Sequence, residues 1–461
     1  MNRKIAGLTG LLLMMMAAPV MAQAITGLDG DWDGALAAGG GIKLRLSLHI
    51  ESHDGATSAA LTSLDQGNGR ILVAAITRDG DAMTLDVPMV HGGFKGTLSG
   101  DGHTLSGTWT QGVPLPLTFT RRAVGAAAPA EMKRPQEPKP PFPYKSEDIT
   151  FAGPGGITLA GTLTTPQGPG PFPAVVLVQG SGPHDRDENL MGHKPFLLLA
   201  DALTRRGIVV LRADKRGVRK SGGNYTSATS EDFAADAQAG VTHLRSLKII
   251  DAKKVGLIGH SEGGLIAPMV AAKDPQLAFI VLMAGPGLKG EDILLMQQRL
   301  IGQAMGTGPT MLDQSAVRNR QLFEIVRTTP DLDEAKTKVR AALAADGVPP
   351  ERVEAALGQA VTPWFRFFLS YDPAPTLRQV KCPVLAIDGA LDLQVPPKED
   401  LAAIKAALGA NPDATVEELP GLNHLFQTAK TGAPSEYNEI EETMAPSVLA
   451  LIGDWIVQRT R

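Results

Sequence analysis

The sequence has a single cysteine among its 461 residues, Cys382, which excludes an intramolecular disulfide and a zinc site built from two or more thiolates. Aromatic residues are scarce, at 5%, and the 44 basic and 48 acidic residues give a formal net charge of −4. This near balance leaves no broad basic surface, so we expect no nucleic-acid partner. Hydrophobic residues make up 43% of the chain, enough for a large core, and the length predicts about two to four domains.

Motifs for bound metals and cofactors are also missing from the sequence. It has no His-Glu-x-x-His pattern, no phosphate-cradling loop and no dinucleotide fingerprint, so we expect neither a metal nor a cofactor. Asp185, Asp187 and Glu188 lie close together, but we interpret them as part of a polar loop rather than as a calcium site.

The N-terminus has the features of a targeting segment. Two basic residues precede an uncharged apolar run of about 14 residues, which is short of the roughly 20 that span a bilayer. Small residues then fit signal-peptidase cleavage after Ala22 or Ala24. We therefore expect a signal peptide over residues 1–24 and a secreted or periplasmic protein without a stable membrane anchor; the alternative is an uncleaved anchor.

Residues 25–122 predict a small all-β domain. Apolar and polar residues alternate with period two, as in strands that have one face in a core and one in water. Trp32 and Trp109 are interpreted as core or edge residues rather than as a sugar-binding platform. The alternating runs lie at 42–50, 83–87 and 115–119, and the turn signals are Asp54-Gly55, Asp79-Gly80 and Asp101-Gly102.

Residues 123–143 are rich in Ala and Pro and predict a semi-rigid, extended linker. From residue 144 to 461, unbroken apolar runs alternate with helical periods, which predicts a doubly wound, mostly parallel sheet covered by helices. A helix-rich block at about 288–375 interrupts this alternation and predicts a cap over the sheet. The apolar runs are 174–178, 208–211, 255–258, 279–283 and 384–387, and two of the helical stretches are 195–206 and 230–247.

The motif that carries chemistry is Gly259-His260-Ser261-Glu262-Gly263, between a buried apolar run and a segment of small residues. In a Gly-x-Ser-x-Gly turn from strand to helix, the serine is held in a strained conformation and its hydroxyl projects above the sheet. We therefore predict that Ser261 is a nucleophile.

A serine hydroxyl needs a general base, and in sheets of this type the chain order is serine, acid, histidine. His424 is the one histidine of nine that follows Ser261, so it is the predicted base. Asp388 and Asp392 both follow the apolar run before it. We prefer Asp392 because it lies on the loop beyond the strand end, where it can orient the ring of His424.

Two backbone N–H groups are expected to form an oxyanion hole. One is the amide of Glu262, directly after the nucleophile. The other is assigned to Ser181, with Gly180 as the next choice, on the glycine-containing loop after the first apolar run.

These residues resemble the α/β-hydrolase superfamily, in particular bacterial secreted serine esterases that are also similar to the serine aminopeptidase and prolyl-oligopeptidase branches. The resemblance covers roughly residues 145–461 and implies the α/β-hydrolase fold and a Ser-His-Asp triad. The matching stretches are residues 179–188, 192–196, 212–217, 259–264 and 389–392.

The sequence departs from many of these relatives at two positions. Gln179 stands where many have His before the oxyanion loop, and Arg219 stands where many have Gly. Neither position belongs to the triad. Asp214 and Arg216 are expected to brace the sheet edge and the oxyanion loop.

Three functions remain open at this point. The first is a serine carboxylic-ester hydrolase, with a small-molecule ester substrate that we expect to carry a short acyl chain. The second is a serine peptidase or amidase with the same triad, for which acidic cap residues would bind a free amino terminus. The third is a glycan-binding protein on an inactive scaffold. The acidic cap residues are Glu291, Asp292, Glu324 and Asp331.

Overall fold

A computed structural model describes residues 25, 27–39, 42–53, 56–65, 70–90, 92–111, 113–129 and 132–461. The expected signal peptide over 1–24 and the turn at Asp54-Gly55 lie outside these residues. The described part of the chain contains a β domain, an α/β domain and an inserted helical block. None of its helices is long and apolar enough to cross a membrane.

The β domain is one antiparallel sheet of nine strands in the order β4-β3-β2-β1-β9-β8-β7-β6-β5. Because β3 contacts β5 and β4 contacts β6, the two edges of the sheet approach each other and the sheet is nearly closed. The strands are β1 Gly30–Gly39, β2 Ile42–His53, β3 Ala56–Ser63, β4 Arg70–Val73, β5 Ala75–Asp79, β6 Ala82–Val87, β7 Gly92–Leu98, β8 Thr104–Gln111 and β9 Val113–Arg121.

Side chains fill the interior of this sheet. Trp32 is fully buried, and its indole Nε1 donates to the Leu28 carbonyl at 3.0 Å. Trp109 is also buried, and Phe94 and Phe119 pack edge to face at 5.6 Å. The two tryptophans therefore belong to the core and offer no exposed platform for a sugar ring.

The second sheet has eight strands in the order β10-β11-β13-β12-β14-β15-β16-β17. The first three strands in this order pair antiparallel and the others pair parallel, so the sheet is mixed but mostly parallel. The strands are β10 Lys145–Ala152, β11 Thr158–Thr165, β12 Phe172–Val178, β13 Val209–Ala213, β14 Ile250–His260, β15 Ile280–Met283, β16 Val384–Gly389 and β17 Ala414–Leu419.

Helices cover both faces of this sheet, and each face has its own apolar core. One core includes residues of α2, α3 and α10, and the other includes residues of α1 and α11. The predicted fold class, an α/β-hydrolase domain behind a small all-β domain, is thereby confirmed. These helices are α1 Pro195–Thr204, α2 Ser230–Ser246, α3 Glu262–Ala271, α10 Pro397–Ala407 and α11 Pro446–Thr460.

The insertion between β15 and β16 is helical throughout and has an apolar core of its own. It contacts the carboxyl edge of the sheet at two places: Trp364 donates to Glu262, and Gln297 donates to Gln394 at 3.3 Å. It therefore lies over that edge as a cap. Its helices are α4 Gly290–Ala304, α5 Pro309–Thr328, α6 Leu332–Ala345, α7 Pro350–Ala360, α8 Pro363–Ser370 and α9 Ala374–Leu377.

The segment that joins the two domains is docked along the α/β domain. Arg134 donates to the carbonyls of Met191, Asn438 and Ile440 at 2.8, 3.1 and 3.0 Å. Gln136 accepts from the amide of Thr443 at 2.6 Å. The described part of this proline-rich segment has turns at 124–125 and 135–136, and these hydrogen bonds hold it on the domain surface, so it is not a free spacer.

The parallel strands end at a common edge. Val178 pairs with Gly259, His260 with Met283 and Gly389 with Leu419. Loops that leave these ends therefore come together above the sheet, where open α/β sheets place their sites.

Candidate active site

Ser261 lies between β14 and α3 in a strained turn. Its φ of 53° and ψ of −118° fall in a region that residues other than glycine rarely adopt. The turn is tight because a Cβ on Gly263 would lie 1.9 Å from the Val178 carbonyl oxygen, and a Cβ on Gly259 would lie 2.0 Å from that of Gly263. Only glycine fits at these two positions, so the sequence pattern has a steric cause.

His424 and Asp392 form a buried pair at the same edge. His424 Nδ1 is 2.6 Å from Asp392 Oδ2, and both side chains are at most 5% exposed. Asp392 is held in turn by its other oxygen, which accepts the amides of Gln394 and Val395 at 2.6 and 3.0 Å. Because a carboxylate only accepts, the ring donates from Nδ1, which leaves Nε2 as the basic nitrogen.

The ring of His424 lies beside the turn that holds Ser261. The neighbouring His260 donates from Nε2 to the His424 carbonyl at 3.0 Å, and the two ring centroids are 5.0 Å apart. In the described part of the chain, the Ser261 hydroxyl itself forms no hydrogen bond. The structure thus gathers the three predicted triad residues at one edge, with the Asp–His hydrogen bond formed.

Asp388 is not the partner of His424. It is fully buried at the end of β16, and its Oδ1 accepts the amide of Gly389 at 2.7 Å. Burial, followed by the nearby Asp392 carboxylate, raises the pKa of Asp388 well above its ordinary value. Both effects favour the protonated form of Asp388, next to the carboxylate that pairs with His424.

His260 and Glu188 form a second buried pair beneath the site. Glu188 Oε1 is 3.1 Å from His260 Nδ1 and also accepts the amide of Gly180 at 2.6 Å. Burial lowers the pKa of an imidazole, but the Glu188 carboxylate outweighs it and raises the pKa of His260. Since both ring nitrogens face acceptors, His260 is an imidazolium, and it links the loop of Gly180 to the loop of His424.

The two predicted oxyanion donors flank Ser261. The amide of Glu262 is the first of helix α3 and has no acceptor within that helix. The amide of Ser181 donates to no residue that the structure describes. A Cβ on Gly180 would lie 3.1 Å from Ser261 Cβ, which sets the Gly180–Ser181 loop directly against Ser261.

The residues that differ from the relatives fit their surroundings. Gln179 donates to the carbonyls of Asp185 and Ala213, at 3.1 and 2.5 Å, and so braces the oxyanion loop against β13. Arg219 has a φ of 49°, a left-handed conformation that explains why glycine is common there. The strain at Arg219 lies outside the triad.

Asp214 and Arg216 serve as braces, as expected from the sequence. Asp214 is buried and pairs with Arg186 at 2.8 Å, while Arg216 pairs with Asp236 at 2.7 Å. Both interactions fix the loop after β13 at the edge of the site. Within the described part of the chain, neither side chain forms a hydrogen bond to Ser261, Asp392 or His424.

The acidic cap residues proposed to bind a free amine are engaged elsewhere or exposed. Glu291 is within 4 Å of both Lys289 and Arg327, and Glu324 pairs with Arg327. Asp331 caps α6 by accepting two of its first amides, and Asp292 is exposed. The described residues also contain no cluster of metal-ligating side chains.

Comparison with known proteins now gives the family. Residues 155–412, more than half of the chain, match the family model described as X-Pro dipeptidyl-peptidase (S15 family). The chain belongs to this family. It is also 29% identical to the esterase EstD of Thermotoga maritima over 319 residues, which is 69% of each chain. The expected resemblance to the α/β-hydrolase superfamily is confirmed.

Two solved structures are also among the matches. The Pyrococcus furiosus esterase Pf2001 matches with a TM-score of 0.44 and 16% identity, over 69% of this chain and 92% of that one. The proline iminopeptidase of Mycobacterium smegmatis matches with a TM-score of 0.42 and 17% identity, over 68% and 99%.

Several residues at the site were not anticipated from the sequence. Glu188 is predicted to lie in a polar loop, and neither Lys215 nor Trp364 is predicted to contact the site. Each acts through a partner that is distant in the sequence, so no local pattern marks it. One usable signal was available: Glu188 and Lys215 lie within stretches that match the relatives, 179–188 and 212–217.

We predict that Glu188→Gln destabilises the protein most in mildly acidic solution. The lowered pKa of Glu188 gives stability that is lost as pH falls below about 4.5, and the raised pKa of His260 gives stability that is lost as pH rises above about 6.5. Removing one partner of a buried pair costs about 3–5 kcal/mol. Urea unfolding should show this loss near pH 6 and a smaller one near pH 9.

The matched control is Glu137→Gln, which removes a half-exposed pair with Lys194. Its effect should be small at both pH values, because an ion pair that is partly exposed to water contributes little to stability. An equal cost of Glu188→Gln at both pH values would show that His260 carries no charge in the pair.

Proposed function

We propose that this protein hydrolyses carboxylic esters with short acyl chains through a triad of Ser261, His424 and Asp392. The observation that carries the proposal is the buried Asp392–His424 hydrogen bond of 2.6 Å beside the strained Ser261 turn. The likeness to the esterase EstD supports ester substrates.

The reaction has two halves. Ser261 Oγ bonds to the ester carbonyl carbon while His424 Nε2 takes the proton of the serine hydroxyl. His424 then gives that proton to the oxygen of the leaving alcohol as the C–O bond breaks. In the second half, water attacks the carbonyl carbon of the acyl-enzyme and gives a proton to His424. His424 returns this proton to Ser261 Oγ as the carboxylic acid leaves. Asp392 orients the ring and stabilises the imidazolium, and the amides of Glu262 and Ser181 bind the oxyanion, each contributing about 3–4 kcal/mol.

A peptidase with the same triad is the second candidate, and the S15 family match favours it. A peptidase that acts at free amino termini needs a carboxylate free to bind the amine. The buried carboxylates of Glu188 and Glu262 are already bonded to His260 and to Lys215, and the cap carboxylates face other partners or solvent. These contacts favour esters over peptides with a free amino terminus.

We predict that Ser261→Ala reduces hydrolysis of p-nitrophenyl acetate and butyrate at least about 10⁴-fold, because the nucleophile is removed. Wild type should turn over these esters and leave amino-acid nitroanilides nearly untouched. The measurement is initial-rate kinetics at neutral pH, with folding of the variant checked by circular dichroism.

Each remaining result assigns a different function. Turnover of the nitroanilides in preference to the esters would favour the peptidase. Retention of the wild-type rate by Ser261→Ala would refute the assignment of the nucleophile. If the wild-type protein hydrolyses neither the esters nor the nitroanilides but binds glycans, it would be a glycan-binding protein on an inactive scaffold.

The two neighbouring aspartates should respond differently to the same change. Asp392→Asn should lower kcat about 10⁴-fold, because an amide favours the wrong tautomer of His424. Asp388→Asn should stay within about threefold of wild type, because Asp388 forms no hydrogen bond to His424 and its raised pKa favours a protonated acid, which Asn resembles. Similar losses from both variants would mean that Asp388 shares the orienting role.

The proposed setting for this reaction is outside the cytoplasm. The apolar run and small residues before residue 25 support export and cleavage of the leader. On expression of the full chain in a bacterial host, N-terminal sequencing of the enzyme from the periplasm or medium should begin at Gln23 or Ile25. A cytoplasmic enzyme that begins at Met1 would contradict export.

A further inference from the structure

Lys215 is a buried lysine that the triad mechanism does not use. It follows β13, and its side chain is 4% exposed. Its ammonium donates to the Gly180 carbonyl at 2.6 Å and to Glu262 Oε2 at 3.0 Å, and it lies 4.5 Å from the centre of the Phe233 ring. A lysine buried to this degree requires such partners, because desolvation of an unpaired ammonium is costly.

The carbonyl that Lys215 binds belongs to the peptide group whose N–H is that of Ser181. In a trans peptide the carbonyl and the N–H point in opposite directions. An ammonium that fixes the carbonyl on one side therefore fixes the Ser181 N–H on the other. It also polarises the peptide and strengthens that N–H as a donor.

Glu262 brings the other oxyanion donor into the same interaction. Its backbone amide is that donor, and its side chain is the partner of Lys215. Its Oε1 accepts from Ser230 Oγ at 2.7 Å and from the indole Nε1 of Trp364 at 2.6 Å. Trp364 stands on cap helix α8 and stacks on Phe368 at 5.3 Å. One buried ion pair thus contacts both donor segments and the cap.

We propose that the Lys215–Glu262 ion pair positions the two oxyanion N–H groups, and that Trp364 makes this positioning depend on the cap. The inference rests on the proposed function, in which Ser261 forms a tetrahedral oxyanion. Lys215 is a positioning residue, since it acts through the Gly180–Ser181 peptide and does not touch the substrate. An ordinary structural ion pair would stabilise the fold without favouring the oxyanion.

The main test removes the pair without leaving a buried charge alone, in the double variant Lys215→Met/Glu262→Gln. We expect kcat for p-nitrophenyl butyrate to fall about 10- to 100-fold, with KM within about threefold, because an interaction specific to the transition state is weakened. Lys215→Arg keeps a cation at the carbonyl and should retain a kcat above that of the double variant. Lys220→Met, at a lysine 72% exposed, is the control and should match wild type.

A pair of ketone inhibitors separates positioning from folding. The hydroxyl of Ser261 adds to butyl trifluoromethyl ketone, its proton passes to His424, and the ketone oxygen becomes an oxyanion. Butyl methyl ketone binds chiefly as the intact ketone. In the double variant, the inhibition constant of the fluorinated ketone should rise in parallel with the loss of kcat, while that of the methyl ketone should change less than about threefold.

The role of the cap is tested by Trp364→Phe, which keeps the ring and removes only the N–H. It should fold like wild type and lower kcat about 2- to 10-fold, again with weaker binding of the fluorinated ketone alone. Because this change is mild, it also tests the proposal if the double variant does not fold. Wild-type kcat and inhibition in Trp364→Phe would refute the link to the cap.

The positioning role itself is overturned if the double variant loses thermal stability but keeps its kcat and the ratio of the two inhibition constants. That outcome, together with an inactive Ser261→Ala variant, would leave the proposed triad intact. An active Ser261→Ala variant would instead refute the proposed function.

Discussion

The close approach of two backbones at the turn after β14 is the constraint on which the site depends. A Cβ at Gly259 would lie 2.0 Å from a backbone carbonyl oxygen, and a Cβ at Gly263 would lie 1.9 Å from another. A side chain at either position would therefore collide with the backbone. Because the turn packs so tightly against the end of β12, Ser261 is lifted above the sheet and the loop of Gly180 is drawn against it. The strain in Ser261 is therefore sustained by the close packing of this turn against β12.

Buried charges keep this arrangement in place. The Gly180 segment is held from both directions, since its N–H donates to Glu188 and its carbonyl accepts from Lys215. Charges are expensive to bury, and a pair of this kind adds little net stability over apolar packing. The buried charges instead orient the peptide dipoles of this segment before a substrate binds. Such preorganised dipoles favour a developing oxyanion.

The sequence was sufficient for features that depend on local patterns. Unbroken apolar runs marked the central strands, and glycine spacing with chain order identified Ser261, Asp392 and His424. The edge strand β10 was missed because it is largely exposed and lacks an apolar run, and its neighbour β11 was missed because it is buried but has only two leucines among Thr, Ala and Gly. Glu188 and Trp364 were missed for a different reason. Their partners lie 72 and 102 residues away, and only the folded chain brings these side chains together.

Contacts between elements that are distant in the sequence also connect the site to the N-terminal domain. Strand β9 of the β domain contacts cap helix α7, which contacts α8, the helix that carries Trp364. Trp364 in turn donates to Glu262, which follows Ser261 in the chain. The β domain therefore supports the cap from outside while the ion pair anchors it from within. A cap held at both ends gives a site whose polar groups are in position before binding, rather than one assembled by closure of a mobile lid.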